Sequence, residues 1–482
     1  MNYFSTRNEK EVVSSAEAIV KGLAADGGLF IPERMPTVNM NGLEKLSYPE
    51  LAAEILPYWL EDFDKAFINQ AVHEAYGPNF AGKSGHTVKI KDDLYALELW
   101  HGPTCAFKDY ALQLMPRLLV EAKRMLGRSE KTRILVATSG DTGKAALEGY
   151  KNLDGVDIFV FYPNDGTSEI QRLQMASQQG NNVGVYAVEG NFDDAQTGVK
   201  KVFQNAEIKQ KLGEKNIQLS SANSINWGRL VPQIVYYFYS YFRVLEQEGK
   251  PVGTVVDYCV PTGNFGDILA GYYAKQMGLP IGKLICAAND NNVLADFFRT
   301  GTYDVRRPFY KTGSPSMDIL ISSNLERLLY HVTGDSAKVS AWMKDLSEKG
   351  VYSVDVETLA KLQQDFCAAW ASEEQCAEII GRYSKEYSYL ADTHTAVALA
   401  AAEKYKGEGA MVVLSTANPY KFPRVVLDAL GEAAPESDFD AIHKLELLSD
   451  IPAPNSLTML KQQEERFKEV IPAGKIAEIA LL

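Results

Sequence analysis

Short apolar runs alternate with polar turns and helix-period segments through the middle of the chain. Ile134-Leu135-Val136-Ala137-Thr138 predicts a buried strand, followed by the turn Ser139-Gly140-Asp141-Thr142-Gly143 and a helix through Ala145, Ala146 and Leu147. Ile158 to Tyr162 predicts the next strand, with a loop from Pro163 to Ser168 and a helix after it, and Val183 to Val188 repeats the pattern. The rhythm resumes at Val255 to Val260, Lys283 to Ala288 and Met411 to Leu414. Apolar strands separated by helices imply an α/β fold with parallel sheets covered on both faces. The strands come from distant parts of the chain, and a second sheet between about residues 130 and 215 reads as an insertion.

Residues 1–85 read as a mostly helical unit, with a helix from Tyr48 to Leu56 beginning near Pro49 and a boundary at Gly77-Pro78 and Gly82 to Gly85. Ile225 to Leu245 predicts one long helix whose stripe Leu230, Ile234, Phe238, Tyr241 and Leu245 faces a core. Residues 433–456, with Pro435, Pro452 and Pro454, read as an irregular, exposed excursion. The predicted division is 1–85, then 86–125 together with 216–482, then an inserted unit at 126–215.

At 482 residues the chain is too long for a single core, and its hydrophobic and charged fractions are those of an ordinary globular protein. A net charge of -13 argues against nucleic acid as a partner. The 5 cysteines (Cys105, Cys259, Cys286, Cys367, Cys376) form no C-x-x-C pair, which suits a reducing compartment. No signal peptide and no membrane span are read, so a cytoplasmic location is expected. The 6 histidines show no metal-ligand spacing, and no metal is expected.

Lys108, in His101-Gly102-Pro103-Thr104-Cys105-Ala106-Phe107-Lys108-Asp109, stands at the start of a predicted helix through Ala111, Leu112, Met115, Leu118 and Leu119. Asp109 suits the positive end of the helix dipole, whereas an ammonium there is disfavoured. With Phe107 and Ala106 before it the amine is desolvated, and both effects favour the neutral, nucleophilic form that a Schiff-base lysine needs. Taken alone, a lysine that snorkels from a helix start is the commoner situation. The companion motifs decide between the two.

Pro261-Thr262-Gly263-Asn264-Phe265-Gly266-Asp267 lies between a strand and a helix, where exposed N–H groups and the helix dipole suit a phosphate. In isolation it is a turn with Asp267 as helix cap. Ser139 to Lys144 has only two residues between Gly140 and Gly143-Lys144, so it is no Walker A loop, and its hydroxyls suit a substrate carboxylate instead. Asn223-Ser224-Ile225-Asn226-Trp227-Gly228-Arg229 places an arginine after amides and a hydroxyl, a set suited to a second phosphate. Leu414-Ser415-Thr416-Ala417-Asn418-Pro419 gathers hydroxyls at a strand end.

Together these stretches resemble the threonine synthases, pyridoxal-phosphate enzymes of the tryptophan synthase β-like fold. Further matching stretches are Tyr3 to Arg7, Lys21 to Pro32, Ser314 to Ile319 and Asp392 to Val397. The resemblance implies two parallel or mixed sheets covered by helices, a small helical N-terminal domain, a large cofactor-binding domain (86–125 and 216–482) and a small mobile domain (126–215). It also implies pyridoxal 5'-phosphate as cofactor, with Lys108 forming the Schiff base and then shuttling protons. Gly263, Asn264, Phe265, Gly266 and Asp267 match the loop around the cofactor phosphate, and Thr416 the hydroxyl facing the pyridine nitrogen. Asp141 matches the residue near the cofactor O3′, where many relatives have asparagine. Ser139 and Thr142 match substrate contacts, and Asn223, Ser224 and Arg229 the groups that hold a substrate phosphate.

The implied reaction is that of a carbon–oxygen lyase acting on phosphates: O-phospho-L-homoserine and water give L-threonine and phosphate, the last step of threonine biosynthesis. The chain departs from the family at Asn418, where histidine is frequent, and at Cys105, where leucine or phenylalanine is. The turn Asp165-Gly166-Thr167-Ser168 is more acidic than usual. A threonine-synthase-like phospholyase or a serine/threonine dehydratase is the alternative enzyme, and a silent metabolite-binding paralogue the alternative outside catalysis. Sequence leaves the oligomeric state, monomer or homodimer, open.

Overall fold

A computed structural model describes residues 1–164, 167–407 and 409–482, so Asp165 and Gly166 of the acidic turn lie outside the described residues. The largest sheet has six strands in the order Phe366–Trp370, Ile281–Ala288, Val256–Pro261, Ala410–Ser415, Leu94–Glu98 and His86–Lys91. All pairings are parallel except the edge pair His86–Lys91 with Leu94–Glu98. Strands buried on both faces have no reason to alternate, which is why Val256–Pro261 is apolar throughout except at Asp257.

The second sheet has five parallel strands in the order Val470–Ile471, Val183–Val188, Val156–Pro163, Lys131–Ala137 and Ile217–Ser220. It therefore extends past residue 215 and recruits a strand from near the chain's end. Two residues at Val470–Ile471 are too short to carry a periodic signal.

Three sequence expectations need correction. The first 85 residues are not mostly helical throughout: Asn8–Ser14, Asn2–Ser5 and Phe30–Pro32 form an antiparallel sheet. Asn8–Ser14 is an exposed edge rich in charge, so it shows no apolar alternation. The long helix is broken into Trp227–Leu230, a 3-10 turn Val231–Gln233 and Ile234–Glu248, because Pro232 has no N–H to donate. Residues 433–456 contain the helix Asp438–Ser449, capped by Ser437, and it buries Ala441, Ile442 and Leu445 in the same cluster as Val426 and Leu427.

The N-terminal sheet is tied to the helix Leu325–Thr333 through polar contacts to Glu326. Arg7 donates to both carboxylate oxygens of Glu326 at 2.8 Å, and Thr6 Oγ1 to Glu326 at 2.5 Å. Among the described residues no helix is long and apolar enough to cross a membrane.

Candidate active site

The central strands Ala410–Ser415 and Leu94–Glu98 end together, and the loops leaving them stay zipped. Leu99 N donates to Ser415 O (2.9 Å), Phe107 N to Thr416 O (2.9 Å) and Asn418 N to Cys105 O (3.1 Å). Ala106 and Ala417 form an isolated antiparallel bridge. Thr416 is thereby held beside the start of the helix Lys108–Leu112. Inside the turn, Thr104 donates from Oγ1 and N to the Asp109 carboxylate at 2.6 and 2.8 Å. A Cβ on Gly102 would come within 2.5 Å of that carboxylate, so glycine is required there. Burial raises the Asp109 carboxyl to about 6 despite the two hydrogen bonds.

Lys108 is buried, with Nζ donating to Ser316 Oγ at 3.2 Å and lying 3.5 Å from Asp141 Oδ2 and 4.9 Å from the Phe107 ring centre. Desolvation lowers its proton affinity. Asp141 opposes that effect, while the positive charges of Lys421 and Arg229 add to it. The expected desolvated amine at a helix start is what the fold contains.

Ser316 is fixed from behind. Its N–H donates to His394 Nε2 at 3.1 Å, and Nδ1 of the same ring pairs with Asp392 Oδ2 at 2.7 Å. Since Nε2 accepts, Nδ1 carries the proton. Asp392 also caps the helix Thr393–Lys404. The sequence stretches containing Ser316 and His394 were legible as motifs, but nothing local indicated that they meet Lys108.

Asp141 opens the helix Asp141–Tyr150 on the five-stranded sheet and is buried. Its Oδ1 accepts from Lys421 Nζ at 2.5 Å and Gln171 Nε2 at 2.9 Å. Burial would raise this carboxyl, but Lys421 and Lys108 outweigh it and hold it well below the usual range. Lys421 is fully buried and also donates to Thr104 O at 3.2 Å. Sequence reasoning missed Lys421, since a lysine two residues after Pro419 reads as an exposed loop residue. Thr138 Oγ1 shapes the turn before Asp141 by accepting from Gly140 N and Gly143 N, both at 3.0 Å. Ser139 is exposed on that turn and Thr142 half-buried.

The glycine loop leads from Val256–Pro261 into the helix Gly266–Gln276, with Phe265 at φ 64°, a left-handed conformation costly for an aromatic residue. A Cβ on Gly263 would lie 2.8 Å from Ser316 O, so the loop passes close to the residue that receives Lys108. Asn324 donates from Nδ2 to Asn264 O (3.0 Å) and Ser224 O (3.1 Å), joining this loop to the Asn223 stretch. Buried Arg327 extends the join to Ile225 O (2.6 Å) and Phe30 O (2.9 Å).

Asp267 is not the helix cap. It sits buried in the first turn, accepting from Tyr236 at 2.5 Å and Tyr237 at 3.1 Å through Oδ1, while Oδ2 is without a partner among the described residues. Burial pushes its carboxyl up to about 7, opposed by the two tyrosine hydroxyls and Lys108.

Arg229 is buried and donates from Nη1 to Ala222 O. Its Nε has no partner among the described residues, and burial lowers its proton affinity to about 10. A buried guanidinium without an anion is an incomplete arrangement. Asn223 is exposed and Ser224 half-buried at the mouth of the same stretch.

The fold also gathers His86, Glu98 and His101, with ligand-type atoms within 4.8 Å of one another. His101 Nε2 and Glu98 Oε2 already hydrogen-bond at 2.7 Å, which accounts for their closeness without an ion.

A buried lysine amine and a helix-start glycine cradle, both at the carboxyl ends of parallel strands, fit pyridoxal 5'-phosphate in residue chemistry. The model for pyridoxal-phosphate dependent enzymes matches residues 80–416, and the chain belongs to that class. Models for the threonine synthase N terminus and C-terminal region match residues 2–76 and 395–479, and the family is that of the threonine synthases.

The threonine synthase of Pseudomonas aeruginosa is 39% identical over 441 residues, covering 90% of this chain and 91% of that one. Human threonine synthase-like 1 is 38% identical over 477 residues, covering 95% of this chain, which spans 64% of the human protein's length. A pyridoxal-phosphate-bound threonine synthase structure from Brucella melitensis superposes with a TM-score of 0.89 at 39% identity, covering 100% of this chain and 99% of that one. The yeast threonine synthase structure gives 0.87 at 34% identity, covering 99% and 97%.

Proposed function

We propose that the chain converts O-phospho-L-homoserine and water into L-threonine and phosphate. The observation that carries this reading is Arg229: a buried guanidinium whose Nε is unpartnered, in addition to the glycine loop. One anion site serves the cofactor phosphate, and a second has a purpose if the substrate brings its own.

In this reading Gly263, Asn264, Phe265, Gly266 and Asp267 would hold the cofactor phosphate, and Thr416 and Asp141 would hydrogen-bond its ring substituents. Pyridoxal phosphate, when bound, supplies a carbonyl for imine formation and an electron sink for the substrate's α carbon. Lys108 Nζ, held by Ser316, would remove one proton from Cα and one from Cβ and return them to Cγ, as its bond to phosphate breaks, and to Cα, once water has given its hydroxyl to Cβ and its other proton to the departed phosphate. Asn223, Ser224 and Arg229 bind the leaving phosphate, while Ser139 and Thr142 hold the carboxylate. Residues 126–215, with Ile217–Ser220 and Val470–Ile471 completing their sheet, act as a small domain that closes over the site and keeps water out until phosphate has left.

A second reading, a phospholyase that releases a keto acid, keeps every one of these roles except the addition of water at Cβ.

Turnover of O-phosphohomoserine with threonine and phosphate as products tests the synthase reading, and 2-oxobutyrate in place of threonine would favour the lyase. Arg229→Ala should cost ~2–5 kcal/mol of transition-state binding for the phosphorylated substrate. The bound-cofactor absorbance and any slow reaction with serine should be nearly untouched. Equal losses on both substrates would mean that Arg229 supports the fold, and the dehydratase reading would regain ground.

A further inference from the structure

Lys421 and Asp141 form a fully buried ion pair between the two sheets. Lys421 follows the large-sheet strand Ala410–Ser415, whereas Asp141 begins a helix of the five-stranded sheet, and their charged atoms are 2.5 Å apart. Lys421 is 0% exposed and Asp141 4%, so the pair is not a surface contact. Its geometry is completed by Thr104 O, which accepts from Lys421, and by Gln171, which donates to Asp141. Gly140 is constrained by the same arrangement, since a Cβ there would meet the Gln171 amide at 2.6 Å.

The other carboxylate oxygen, Oδ2, faces Lys108 Nζ at 3.5 Å and accepts from Ser316 Oγ at 3.4 Å. A buried carboxylate alone beside a buried lysine would make a closed pair and hold that lysine as an ammonium, a poor nucleophile and a poor base. Here the carboxylate is shared. Lys421 occupies Oδ1 at the shorter distance, so Lys108 faces a pair that is already neutral overall.

We propose that Lys421 is a positioning residue of the reaction, which by ion-pairing Asp141 across the two sheets releases the Lys108 nitrogen from its nearest carboxylate. The proposal rests on the reading of Lys108 as the cofactor lysine and adds a residue to it. Because the two partners belong to different sheets, the pair forms when the small sheet lies against the large one. The charge beside Lys108 is therefore coupled to closure.

The groups facing the Lys108 nitrogen are Asp141 and Lys421, Arg229 from the helix Trp227–Leu230, and Asp267 from the helix Gly266–Gln276, with Ser316 and Phe107 neutral. Only the first two are changed in the test. Removing the Lys421 charge leaves Asp141 to Lys108 alone and favours the protonated nitrogen. Removing the Asp141 charge leaves Lys421 unopposed and disfavours it.

The test compares wild type, Lys421→Met, Asp141→Asn and the double variant, each loaded with pyridoxal phosphate, by the pH at which the bound-cofactor absorbance titrates. Lys421→Met should move the midpoint up by about one pH unit or more, Asp141→Asn should move it down, and the double variant should lie between them. Lys421→Arg should stay near wild type. Thermal unfolding without cofactor reports whether each variant is folded.

A folded Lys421→Met protein with an unmoved midpoint, or shifts of the same sign in both single variants, overturns the proposal. If Lys421→Met does not fold, the double variant, which buries no unpaired charge of this pair, decides: a midpoint above that of Asp141→Asn supports the pair, and one equal to it or below it overturns it. A Lys108→Ala protein that kept the absorbance would instead overturn the reading of Lys108, an outcome distinct from a failure of the pair.

Discussion

The backbone N–H of Ser316 donates to His394 Nε2 at 3.1 Å, and the hydroxyl of the same serine accepts from Lys108 Nζ at 3.2 Å. The imidazole is therefore one residue removed from the amine and acts on it by holding Ser316 in place. With Asp392 on Nδ1, the ring is fixed in the tautomer whose Nε2 can accept.

His394→Ala should remove that hold, at a cost of about 1 kcal/mol, or roughly a fivefold to tenfold loss in kcat with little change in cofactor affinity. His394→Gln, whose side-chain carbonyl can accept from the Ser316 N–H, should recover much of it. If neither variant changes kcat, or if Gln is as poor as Ala while Tm falls equally in both, the ring supports packing and not the lysine.

Gly263 and Gly266 differ in what surrounds them. A Cβ at 263 would meet Ser316 O at 2.8 Å, while at 266 its nearest neighbour is Asn324 Nδ2 at 3.4 Å. Gly263→Ala should therefore disturb both the Ser316–Lys108 contact and cofactor binding, lowering kcat and raising the pyridoxal phosphate needed. Gly266→Val should fold normally and raise the cofactor requirement alone, through a clash with bound phosphate. Unchanged cofactor titration in the Gly266 variant would count against the loop as the phosphate site.

The buried Asp267 carboxyl is raised from 3.8 to about 7. Between these values the folded protein holds a proton that the unfolded chain has released, so this group's contribution to stability is present below the lower value and is lost as pH rises towards about 7. Asp109, raised to about 6, acts with the same sign. Buried His331, lowered to about 3, acts with the opposite sign, so the test is the difference between wild type and Asp267→Asn. In the cofactor-free protein that difference in urea midpoint should fall across the window, and a difference that does not change with pH would contradict the assignment.

What the sequence determined by itself is local. A desolvated lysine after Phe107, a glycine loop between an apolar run and a helix, and an arginine after amides are each written in consecutive residues, because strand, turn and helix-start chemistry acts over a few positions. The alternation of apolar runs with helices likewise announced parallel sheets. Charged Asn8–Ser14 and the Asp438–Ser449 helix escaped this reading because their placement depends on what they pack against, not on their own periodicity. Tertiary structure alone decided that Ser316 and His394 stand behind Lys108, that Asn324 and Arg327 join two loops, and that Lys421 meets Asp141 from 280 residues away. The physical reason is that burial and charge pairing are set by distance in space. A lysine reads as solvated until the fold removes its water and supplies a carboxylate.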